Sequence, residues 1–112
     1  MVNAHTVLTA LLRTVLSVET LGNIFMNTAC EASCNYGIGY DGRVLLCVDE
    51  SNRSWCSSSN ANDQRAVTIE CASDTVAPYT MNSKVYNKLI ALCVDTVSYT
   101  HLRAHETSAH LV

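Results

Sequence analysis

The sequence predicts an α/β fold, a mixed central β-sheet flanked by helices, and three observations carry that reading. Asp41-Gly42 stands between two apolar runs in the stretch from Asn35 to Val48, and both turn residues tolerate the positive φ that a tight hairpin requires. Val67-Thr68-Ile69 is β-branched and reads as a buried strand, with Glu70 at its end. After Asn82 and Ser83, either of which can cap a helix, Val85, Tyr86, Leu89, Ile90, Leu92, Cys93, Val94 and Val97 make a broad apolar face, with Lys84 and Lys88 on the solvent side. A helix of that kind packed on a small sheet buries the apolar side of both.

The remaining elements follow in chain order. Val2 to Val7 reads as a strand, while Leu8 to Leu16 fits either a helix or a strand, because its periodicity does not settle the choice. Ser17 is an N-cap candidate, and Glu19 suits the positive end of the helix that Val18, Leu21, Ile24 and Phe25 outline. Thr28 to Ser33 is a loop of mostly small residues. The Ser- and Asn-rich segment from Ser51 to Gln64 is expected to be an irregular surface loop, and it carries the single tryptophan, Trp55. Asp74 to Thr80 is a second loop, with the single proline, Pro78.

A chain of 112 residues is at most one small domain, with a modest core. The net charge of −3 and scattered basic residues give no electrostatic case for nucleic acid or an anionic membrane. No run is long enough to span a bilayer. Arg13 interrupts the first apolar stretch and no early Lys or Arg precedes it, so a secretory leader is not expected. Six cysteines are many for this length. Cys47, Cys71 and Cys93 lie inside apolar runs, where a free thiol behaves as a small core residue, so mostly reduced thiols are expected. The rival is a small secreted protein held by disulfides.

Few residues carry chemistry. Glu70, at a strand end, is either a proton-handling carboxylate or the partner of Arg43, Arg53 or Arg65. Trp55 either stacks on a sugar or peptide or caps the core. Asn60 and Asn62 either shape a turn or bind a ligand amide. Cys34 has no identifiable base and is not expected to be a nucleophile. A lone His5 is more often structural than a ligand. His101, His105 and His110 suggest a metal site, but His110 falls five residues after His105, which turns the two away from a common face. The stretch from Val97 to Thr107 resembles translated sequencing-adapter DNA, so residues 97–112 are expected to be a non-native tail rather than part of the fold.

Taken together, Ser17-Val18-Glu19-Thr20-Leu21-Gly22-Asn23-Ile24-Phe25, Ser33-Cys34-Asn35-Tyr36-Gly37-Ile38-Gly39-Tyr40-Asp41-Gly42-Arg43, the loop from Asp49 through Trp55 to Asp63, and Arg65-Ala66-Val67-Thr68-Ile69-Glu70 resemble the type-2 N-acetylmuramoyl-L-alanine amidases. The resemblance spans about residues 17–96. It implies a zinc-dependent hydrolase of peptidoglycan that cuts between the lactyl group of muramic acid and L-alanine of the stem peptide. Such an enzyme acts at the bacterial cell wall, as a host autolysin or a phage endolysin, and is expected to be a monomer. In such a domain Glu70 falls on the catalytic glutamate. Asn35, Trp55, Asn60 and Asn62 fall beside the substrate groove. His5, in His5-Thr6-Val7, resembles the strand end that supplies the first zinc ligand. Cys34 stands where other members have a tyrosine. The second histidine and the Cys or Asp ligand have no counterpart, so residues 1–96 are expected to be the N-terminal part of an incomplete domain, inactive by itself. A non-catalytic peptidoglycan-binding module is the alternative.

Overall fold

The computed structural model describes residues 6–12, 17–26 and 32–110. Its sheet is built from β1 (Thr6–Leu12), β2 (Tyr36–Ile38), β3 (Val44–Leu46) and β4 (Ala66–Ala72). The strand order is β1-β4-β2-β3. β4 pairs in parallel with β1 and β2, and only β2–β3 is antiparallel, so the sheet is mixed as expected. Among the described residues three helices accompany it: α1 (Val18–Met26), the single turn α2 (Asn60–Asp63) and α3 (Ser83–His110).

Local chemistry accounts for several element ends. Ser17 Oγ accepts the Thr20 amide at 3.2 Å and opens α1. The hairpin turns at Gly42, whose φ of +85° is open to glycine and costly for most other residues. Asp41 Oδ1 accepts the Arg43 amide at 3.1 Å and holds the turn. Asn82, rather than Ser83, caps α3, since its Oδ1 accepts the Val85 amide at 2.9 Å.

All seven residues of β4 are buried, because neighbouring strands flank it and both of its faces are covered. Side chains alternate across the sheet. Ile69 and Cys71 join Ile38 and Val85 of α3 in the main core, with Tyr36, Met81, Leu89, Leu92 and Cys93 around it. Thr68 and Glu70 point the other way. On that face Leu21 of α1 sits over Gly37, so close that a Cβ there would meet Leu21 Cδ2 at 2.2 Å.

Three expectations are corrected. β1 runs on past Val7 to Leu12, so His5-Thr6-Val7 does not close the opening strand, while Val2 to His5 lie outside the described residues. β4 continues two residues past Glu70, which is therefore interior to the strand. The apolar face of α3 is broader than the sheet can cover: Val85 is fully buried, whereas Tyr86, Ile90, Val94 and Val97 are largely exposed. The backbone of α3 continues across the 96/97 boundary to His110.

Candidate active site

Glu70 sits on the central strand, with Ala10 of β1 and Gly37 of β2 as its register partners. It is 7% exposed. Its Oε1 accepts the Cys56 thiol at 3.2 Å, and its buried Oε2 has no hydrogen-bond partner among the described residues. None of the three candidate arginines reaches it. Arg43 pairs with Glu19 and Asp41, Arg53 bonds to Asn60, and Arg65 bonds to the Ala61 carbonyl. Burial therefore pushes the Glu70 carboxyl above its ordinary value, with the Cys56 hydrogen bond opposing the rise only in part. In turn, burial and the field of Glu70 push the Cys56 thiol up to about 12, so it remains protonated and donates.

The loop over Glu70 is held by groups that no sequence pattern marks. Asp63, 3% exposed, accepts the Cys56 amide at 3.2 Å, the Ser57 amide at 3.1 Å and the Ser57 hydroxyl at 2.7 Å. Ser54 and Thr68 share a hydroxyl–hydroxyl bond of 2.5 Å, fixing the loop two residues before Cys56. The Ser-rich composition pointed to a solvated loop; the pairing of Ser57 with Asp63 is visible only once the chain is folded.

The predicted groove residues divide. Asn35 is fully buried. Its Nδ2 donates to the carbonyls of Val48, Asp49 and Asn52 at 3.1–3.2 Å, and its Oδ1 accepts the Thr68 amide at 2.9 Å. That geometry makes Asn35 the tie between β4 and the loop after β3, with no amide group left to offer a ligand. Trp55 is 54% exposed, so it does not cap the core; the Arg53 guanidinium lies 5.5 Å from its ring centre. Asn60 and Asn62 lie on α2, where Asn60 Oδ1 accepts from Arg53 and Gln64, and the Asn62 amide donates to Ser59 at 3.3 Å. A shallow pocket of 540 Å³ opens between the hairpin turn and Lys84 and Lys88 of α3, and none of the predicted site residues lines it.

The family model for N-acetylmuramoyl-L-alanine amidase matches residues 2–111. This chain belongs to that amidase family. No curated protein and no solved structure matches it. Membership agrees with the resemblance carried by Ser17–Phe25, Ser33–Arg43 and Arg65–Glu70, and makes peptidoglycan the substrate class at the cell wall.

The amidase family is generally zinc-dependent. Among the described residues of this member no three His, Cys, Asp or Glu side chains are arranged to hold a metal ion. His5 lies outside the described residues, as do the side chains of His101, His105 and His110. The described side chains therefore do not fit the family's metal, and the chemistry below is built on Glu70 alone.

Proposed function

We propose that this chain carries the proton-handling part of a peptidoglycan amidase site. Glu70 would serve the amide bond between the lactyl group of muramic acid and L-alanine. The buried carboxylate, with no cation beside it and one oxygen unpartnered among the described residues, supports this reading most directly. Burial raises this carboxyl, so it takes up a proton more readily than an exposed glutamate, as a group that serves as both general base and general acid must. In hydrolysis Glu70 takes a proton from the attacking water as its oxygen adds to the carbonyl carbon. It returns the proton to the alanine nitrogen as the C–N bond breaks, leaving a muramic acid carboxylate and a free L-alanyl amine. Exposed Trp55, on the loop that also carries Cys56, offers a face for the sugar or stem peptide.

A second reading, a module that binds peptidoglycan without cutting it, is favoured by the missing metal-holding set among the described residues. One experiment separates the two. Incubate the 112-residue chain with purified muropeptides, with and without added zinc, and measure both affinity and new L-alanyl amines. Zinc-dependent release that Glu70→Gln abolishes supports the hydrolase. Binding without release, unchanged by Glu70→Gln, supports the module. Absence of both overturns the assignment of this chain to peptidoglycan.

A further inference from the structure

We propose that Cys34 and Cys47 form a closable thiol pair, a modification site whose oxidant is a low-molecular-weight disulfide such as oxidised glutathione. Their sulfur atoms are 3.9 Å apart, with the Cys34 S–H donating to Cys47 Sγ. The five described cysteines are all free thiols, so the pair is poised but open. The surrounding backbone holds the two together. The Cys47 amide donates to the Asn35 carbonyl at 2.8 Å, extending the β2–β3 ladder one step beyond Tyr36↔Leu46 and placing Cys34 beside it. A disulfide bond is about 2.05 Å long, so closure asks the two sulfurs to approach by roughly 2 Å.

The two thiols differ in role. Cys34 is completely buried, whereas Cys47 is partly exposed and meets the oxidant first. The hydrogen bond from Cys34 favours the Cys47 thiolate, while the same bond, with burial, holds the proton on Cys34. Cys47 sulfur attacks one sulfur of the oxidant; the oxidant's S–S bond breaks and one glutathione leaves as thiolate. The mixed disulfide carries no charge on Cys47, which removes the main cause keeping Cys34 protonated. Cys34 then gives its proton to solvent, and its sulfur attacks Cys47 Sγ. The second glutathione leaves, and the Cys34–Cys47 bond is formed. Two protein thiols are oxidised and one glutathione disulfide is reduced to two thiols. Cys56 is a poor competitor, because its S–H is committed to Glu70.

The test uses the unaltered chain. Treat it under native conditions with oxidised glutathione, quench with acid, and measure intact mass and tryptic peptides. The expected product has lost two hydrogens and links residues 14–43 to residues 44–53, with tandem fragmentation placing the bond at Cys34 and Cys47. In Cys34→Ser the reaction stops with one glutathione held on Cys47. In Cys47→Ser no bond to Cys34 forms. A linkage between any other pair, or a chain that keeps both thiols free while other cysteines react or none does, overturns the proposal. The wild-type peptide map decides this even where a variant fails to fold.

Discussion

Replacing Asn35 with alanine separates a ligand-binding asparagine from an internal anchor. The side chain feeds three loop carbonyls from two N–H bonds and takes two donors, the Thr68 amide and hydroxyl, on one oxygen. One of the three carbonyl contacts is therefore shared, which leaves about four independent hydrogen bonds at roughly 1 kcal/mol each. The loop carbonyls are near enough to solvent to recover part of that with water, whereas the Thr68 amide, in a fully buried strand position, recovers none. Asn35→Ala should thus lose about 3 kcal/mol, a large share of the roughly 5–15 kcal/mol a small domain has. The assay is urea unfolding followed by far-ultraviolet circular dichroism, in which the midpoint falls and the slope holds. Asn35→Asp is a sharper probe. At neutral pH it sets a carboxylate oxygen against three carbonyl oxygens, so it should be worse than alanine. Its folded-state pKa is then raised, so its stability is present below the ordinary aspartate value and is lost as pH rises through the folded one. A loss under about 0.5 kcal/mol for Asn35→Ala, with Asn35→Asp indifferent to pH, would refute the anchor and return Asn35 to the groove.

Further outcomes follow from other sites. The Glu70 carboxyl is raised by burial, so the folded chain holds its proton more tightly than the unfolded one, and stability falls as pH climbs from the ordinary value of 4.5 through the folded value. Glu70→Gln should therefore be more stable than the parent in urea at pH 8 and show no such gain at pH 4; equal curves at both would contradict the burial argument. Gly37→Ala drives a methyl into Leu21, which is 1% exposed and has nowhere to retreat, and should lose about 1–3 kcal/mol. Adding Leu21→Ala should give back part of that loss, so purely additive effects would show that the two do not meet. Trp55→Ala should leave stability within about 0.5 kcal/mol, because the ring is exposed. It should weaken muropeptide binding by about 1 kcal/mol, roughly fivefold, if the ring is a stacking face, and titration calorimetry reads both the presence and absence of that change.

What was legible in the sequence was local. Ser17, Asp41-Gly42 and Asn82 each act on a backbone group within a few residues, and each was readable from residue type and spacing. The β-branched run of β4 was readable for a similar reason, since its chemistry is repeated along the element itself. The end of the opening strand was misplaced, because the run from Leu8 to Leu16, interrupted by Arg13, has no clear period to mark where a strand stops. For α3, periodicity identified apolar residues correctly but could not tell how wide the sheet beneath them would be, so Tyr86, Ile90 and Val94 were assigned to a core that does not extend to them. The site was partly legible. Glu70 stood out as a carboxylate in an apolar strand. Its partner Cys56 comes from the loop before α2 and the Asp63 anchor from α2 itself, and nothing in their own surroundings announces the pairing.

The pairing of β1 with β4 joins opposite ends of the ordered core, and it has a consequence for how the chain reaches its native state. The β2–β3 hairpin needs only a short turn to close, whereas β1 must wait until β4 has been made and brought alongside in parallel. During that interval one edge of the fully buried strand β4 stands open with its amides and carbonyls unsatisfied, a template for another copy of the same strand. Refolding yield should therefore drop as protein concentration rises, and a dilute, slow renaturation is the regime in which this chain finds its own partner before it finds a neighbour's.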